Sequence, residues 1–198
     1  MRICFFGDSF VNGTGDDEAL GWVGRVSAHA RQSGIDLTTY NLGVRRDTSA
    51  DIARRWRTEA QTRLPDGVDG RLVFSFGVND CSAEHEKSAP RLSHAATLAN
   101  AHSILNEAAQ WRPTLLVGPT PVMASAGQND RISALSEALF ALCARLNIPF
   151  IATTAFADEY AAQWRAQAEA GDGAHPAAAG YAALSAFILE SAAWRRWL

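Results

Sequence analysis

Short apolar runs alternate along the chain with segments of helical period. The runs are Arg2–Phe6, Asp36–Asn41, Arg71–Phe76, Thr114–Gly118 and Ile148–Ala152, each carrying β-branched or aromatic residues near Gly, Pro or Asn. Most lack a clean in-out alternation, which is the pattern of strands covered on both faces. Between them Ile132, Leu135, Leu139, Leu142 and Leu146 step by three and four and predict an amphipathic helix. Ile52, Trp56, Ala60 and Leu64 predict another, opened by Thr48-x-x-Asp51 as a capping box. A third helix is expected from about Leu92 to Trp111 and a last one from Pro176 to the C-terminus. This alternation predicts a three-layer α/β/α sandwich on a five-stranded parallel sheet. With no repeat, linker or low-complexity tract, residues 1–198 are expected to form one domain.

Ligands of such sheets bind beyond the carboxyl ends of the strands. There the chain reads Gly7-Asp8-Ser9-Phe10 after the first run, Asn41-Leu42-Gly43-Val44 after the second and Gly77-Val78-Asn79-Asp80 after the third. A fourth polar loop, Gly171-Asp172-Gly173-Ala174-His175-Pro176, precedes the last helix. These segments can supply the parts of an acyl-transfer site. Ser9 is the candidate nucleophile and His175 its general base. Asp172, three residues earlier, can hold the imidazole tautomer. The N–H groups of Ser9 and Gly43 and the amide of Asn79 can receive an oxyanion. Each match has an ordinary reading as a turn or helix start; their joint order makes the case.

That order resembles the SGNH, or GDSL-type, hydrolases. Gly7-Asp8-Ser9-Phe10 resembles the first block, Asn41-Leu42-Gly43 the second, Gly77-Val78-Asn79-Asp80 the third and Asp172-Gly173-Ala174-His175-Pro176 the last. The resemblance implies a flavodoxin-like sandwich with a Ser9–His175–Asp172 triad. It also implies an oxyanion hole from Ser9, Gly43 and Asn79, no cofactor and no metal. The implied activity is that of a serine esterase, lipase or acylhydrolase, on a small carboxylic ester, a thioester or an O-acetylated sugar. Short acyl chains are expected because a chain of 198 residues leaves little room for a lid. Asp8, Phe10, Arg45 and Arg46 are candidate substrate contacts. The second block departs from the resemblance, which often continues GxSGDT; here Gly43-Val44-Arg45-Arg46-Asp47-Thr48 puts Arg46 where a glycine usually stands.

Composition narrows the alternatives. The formal net charge is -3 with no basic block, so nucleic acid is not expected as the main ligand. Arg45, Arg46, Arg54, Arg55 and Arg57, the densest basic stretch, read as a solvated face. No apolar run reaches the roughly 20 residues of a membrane span, and no leader is visible, so the chain reads as cytoplasmic. The three cysteines lack CxxC spacing, which argues against a disulfide framework or zinc site. Cys81 is expected to be a small filler, and Phe156, Tyr160 and Trp164 a core-facing stripe or a pocket wall. Asp8, Asp16, Asp17 and Glu18 put negative charge where a flavodoxin-like nucleotide binder would hold phosphate. A non-catalytic module of the same fold is the other alternative, and self-association is left open.

Overall fold

The computed structural model describes residues 1–83, 85, 88–123, 125–155 and 158–198, with 158–161 by their backbone alone. In chain order the elements are β1 (Arg2–Gly7), α1 (Ser9–Asn12), α2 (Gly21–Gln32), β2 (Thr38–Gly43), α3 (Ser49–Arg63), β3 (Gly70–Ser75), α4 (His94–Trp111), β4 (Thr114–Val117), α5 (Ala126–Leu146), β5 (Phe150–Ile151), α6 (Asp158–Ala170), α7 (Ala178–Glu190) and α8 (Ala192–Trp197). The strands form one parallel sheet in the order β2-β1-β3-β4-β5.

The burial of β1 shows why the apolar runs do not alternate. Ile3, Cys4, Phe5 and Phe6 are all fully buried, because successive side chains enter opposite layers. Phe5 meets Trp22 of α2 and Trp194 of α8. Phe6 meets Trp56 of α3 and Phe74 of β3. Helices α2, α6, α7 and α8 thus cover one face, and α3, α4 and α5 the other. The capping box of α3 is present in both halves: the Asp51 N–H donates to Thr48 Oγ1, and the Thr48 N–H to Asp51 Oδ2.

Three elements differ from the sequence reading. The fifth strand shrinks to Phe150–Ile151. The last helix breaks at Ser191, whose hydroxyl caps α8. Helix α2 falls outside the sequence reading, although Trp22, Val23, Val26 and Ala30 step by three and four along its buried face. Among the described residues no helix is long and apolar enough to cross a membrane.

The order 2-1-3 at the centre of the sheet places the switch of chain direction at β1 and β3. In-register pairing of Gly7 with Gly43 and with Ser75 then brings three strand ends to one level. A crevice opens at such a point.

Candidate active site

Ser9 is the first residue of α1, and Asp8 is its N-cap, with Oδ1 accepting from the Phe10 N–H at 2.9 Å. The turn thus lifts the serine off the end of β1 while its helix stays capped. Ser9 Oγ lies 2.7 Å from His175 Nε2, and His175 Nδ1 lies 2.7 Å from Asp172 Oδ2. The other Asp172 oxygen accepts the N–H of Ala174 at 3.0 Å and of His175 at 2.9 Å. The loop therefore orients the carboxylate before the carboxylate orients the imidazole. Partial burial would raise this carboxyl, but the hydrogen bonds from His175 and Ala174 outweigh it and hold Asp172 at about 2.

The ring of His175 rests against Phe10, with centroids 4.8 Å apart, and Phe10 in turn stacks on Trp164 at 5.6 Å. Gly15 presses on the far side of the loop, where a Cβ would stand 2.7 Å from Pro176 O and 3.2 Å from His175 Cβ, and its φ of 90° already favours glycine. The Tyr181 hydroxyl donates to Thr14 O at 2.8 Å, fixing that segment to α7.

The structure corrects four site expectations. Asp8 and Phe10 are 2% and 4% exposed, so they cap and pack beneath the site and do not present themselves to substrate. Gly43 has its N–H engaged by Asn41 Oδ1 at 3.1 Å, which leaves that proton unavailable to an oxyanion. Its missing side chain serves packing instead, since a Cβ would stand 2.2 Å from the Asn12 nitrogen. Asn41 also donates to Val11 O at 2.8 Å, so its carboxamide ties α1 to β2. Arg55, expected on a solvated face, has a side chain only 18% exposed. It donates to Asp47 Oδ2 at 2.8 Å and to Gly7 O at 3.1 Å, locking the turn after β2 to the end of β1.

That turn, Val44 to Asp47, is closed by the Asp47 N–H donating to Val44 O at 3.2 Å, and the Val44 N–H donates to Gly7 O at 3.0 Å. Arg46 takes φ 70°, the left-handed conformation that suits glycine. Asn79 Nδ2 donates to Asp47 O at 2.9 Å, which joins the turn to the loop after β3 and leaves its second proton free for another acceptor. Next to it Asp80 is fully buried, accepting from the Ser49 N–H, the Ser49 hydroxyl and the Thr97 hydroxyl. Nothing in the spacing of the sequence marks Asp80 and Arg55 as the anchors of this corner, because their partners lie 31 and 48 residues away.

Other expected residues fall in place as follows. Arg45 and Arg46 are exposed on the turn. Burial pushes the Cys81 thiol up to about 12, so it is a poor nucleophile. Trp164 is buried under Phe10, whereas Phe156 and the Tyr160 side chain lie outside the described residues. Asp16 is turned inward to accept from the Gly21 N–H at 2.7 Å and to pair with Arg25. No group of three or more His, Cys, Asp or Glu placed to hold a metal occurs among the described residues.

Asp8 makes a prediction of its own. Burial pushes its carboxyl from 3.8 to about 7 against the pull of the Phe10 N–H, with Asp80 and Asp47 adding to the rise. Its Oδ2 has no hydrogen-bond partner among the described residues. Between about pH 4 and 7 the folded chain keeps this proton while the unfolded chain releases it, so stability is lost as pH rises. Asp8→Asn keeps the cap and removes the buried charge. Urea midpoints should favour the variant at pH 8 relative to pH 4, by roughly 2–4 kcal/mol. A difference independent of pH would show that Asp8 titrates as it does in the unfolded chain.

The model of the GDSL-like Lipase/Acylhydrolase family matches residues 5–183. No curated protein matches the sequence. The lipase/acylhydrolase from Enterococcus faecalis is 25% identical, with TM-score 0.76 over 98% of this chain and 96% of that one. Axe2, an acetylxylan esterase from Geobacillus stearothermophilus, is 19% identical, with TM-score 0.79 over 95% and 92%. LAE5, an alpha/beta hydrolase from the metagenome of Lake Arreo, is 20% identical, with TM-score 0.77 over 100% and 96%.

Proposed function

We infer the mechanism from one premise: the chain belongs to the GDSL-like lipase/acylhydrolase family and hydrolyses esters. The reaction is acyl transfer through Ser9, carried by residues 1–198 as one domain. Its chief support is the pair of 2.7 Å contacts that run from Asp172 through His175 to Ser9. Ser9 Oγ attacks the ester carbonyl carbon as its proton passes to His175 Nε2. The tetrahedral oxyanion collapses, the bond to the alcohol oxygen breaks, and that oxygen takes the proton from Nε2. Water then attacks the acyl-enzyme by the same route, releasing the carboxylic acid and restoring Ser9. Asp172, ionised down to about pH 2, keeps Nδ1 protonated and stabilises the imidazolium that forms.

The oxyanion is received by the Ser9 N–H, the second proton of Asn79 Nδ2 and the Arg46 N–H. The last of these replaces Gly43. Among the described residues no hydrogen bond involves the Arg46 N–H, and the next carbonyl along the turn is the one that holds Asn79. The acyl group is short. Val44 is the large apolar side chain that this turn exposes, and it is flanked by Arg45 and Arg46. A long chain needs contiguous apolar surface that they interrupt.

A fluorophosphonate probe tests the reading directly. Intact mass should show one adduct on the native chain and none on Ser9→Ala. Acyl esters of rising length should then lose kcat/KM beyond a few carbons. A folded native chain that takes no adduct would remove the acyl-enzyme and leave the fold as a binding module.

A further inference from the structure

We propose that the preferred ester carries an anionic group, carboxylate or phosphate, held by Arg45, Arg46 and Arg91 at the mouth of the site. The proposal rests on the hydrolytic reading above and names the substrate class for it. All three side chains are exposed. Arg91 uses one nitrogen to donate to Arg46 O at 2.8 Å, which brings its guanidinium to the turn and leaves its other donors open. The turn itself is fixed on the reaction centre: Val44 bonds the carbonyl two residues before Ser9, and Asp47 O holds Asn79.

Four arginines of α2 and α3 are neutralised locally. Arg25 pairs with Asp16 and Glu18, Arg54 with Asp51, Arg55 with Asp47 and Glu59, and Arg57 with Glu107. Among the described residues Arg45, Arg46 and Arg91 have no carboxylate partner, in a chain whose formal net charge is -3. Of the described carboxylates around the reaction centre, Asp47 faces Arg55, Asp8 is buried and Asp172 faces His175. Three positive charges beside the nucleophile attract an anion and exclude a cation.

Arg46 adds a separate reason. Its backbone occupies a conformation that glycine adopts without cost and a larger residue does not. Its exposed side chain makes no hydrogen bond or ion pair among the described residues. A guanidinium kept at such a position serves whatever enters the mouth. Its planar fork matches a carboxylate or a phosphate.

Two matched pairs of esters test this. 4-Acetoxybenzoate against its methyl ester places the charge on the alcohol side. Mono-4-nitrophenyl succinate against 4-nitrophenyl butyrate places it on the acyl side. Each result is read as the ratio of kcat/KM within a pair on one protein, so a general loss of activity cancels. The native enzyme should favour the anionic member of one pair on the order of 10-fold, and which pair it is locates the charge. That ratio should fall toward unity in about 0.5 M salt and in the Arg45→Gln/Arg91→Gln double variant. The salt series needs no variant to fold. Turnover of the neutral esters with no anionic preference, or a preference untouched by salt, overturns this proposal alone. No turnover of any of the four by the folded chain overturns the hydrolytic reading and this proposal with it.

Discussion

Ser9→Ala lowers ester turnover on the order of 10⁵-fold and leaves the fold intact. The hydroxyl supplies the bond-forming atom, and nothing nearby can replace it: Cys81 is buried with its thiol pushed up to about 12. What remains is the binding and oxyanion contribution, a residue of rate that triad enzymes retain when the nucleophile is lost. His175→Ala should cost nearly as much, and the double variant little more than either single one, because the two act as a unit. The fold should survive the serine substitution. Ser9 Oγ has His175 as its hydrogen-bond partner, the helix cap comes from Asp8, and alanine suits a helix start. Initial rates on an acetyl ester, with thermal unfolding alongside, check both parts. A Ser9→Ala enzyme that keeps a tenth of its activity would mean the nucleophile lies elsewhere.

Asp172→Asn is the second large effect, a loss of about 10²–10⁴-fold in kcat/KM. The amide keeps an oxygen for the Ala174 and His175 N–H groups, so the loop should hold its shape. Facing Nδ1, however, an NH₂ group favours the tautomer with the proton on Nε2, and that nitrogen can then no longer take the proton of Ser9. The Asp172 side chain is 52% exposed, so water can replace part of its effect, which places the expected loss toward the lower end of the range. Because Asp172 stays ionised down to about pH 2, its own protonation should not govern the fall of native activity across pH 4–9. Rates across pH 4–9 for both proteins measure this. A variant within 3-fold of the native enzyme would show that the 2.7 Å contact is incidental.

The meeting of Ser9, His175 and Asp172 was legible in the sequence because its parts sit in short local motifs. A strand ending in Gly7-Asp8-Ser9 and a loop reading Asp172-x-x-His175-Pro176 each carry their geometry within a few residues, and parallel-sheet topology brings strand ends together. The oxyanion corner was not legible to the same degree. Choosing Gly43 followed from the freedom of glycine to approach a substrate, but the glycine is needed to clear Asn12, and its N–H is taken by Asn41. Likewise Arg55 looked like one of several surface arginines, because helical period does not reveal that its guanidinium reaches back to Gly7 O.

What the sequence by itself determined is therefore the parallel α/β sandwich and the meeting of Ser9, His175 and Asp172 at one rim. Apolar period and turn residues are local properties, and local properties can be read along a chain. Only the tertiary structure decided that Asp8 and Phe10 lie beneath the site, that the turn at Arg46 lies beside Asn79, and that three arginines there have no carboxylate partner among the described residues. Each of those depends on which distant atom fills a hydrogen bond or a volume. That is settled only when every buried donor, acceptor and ring has found its place at once.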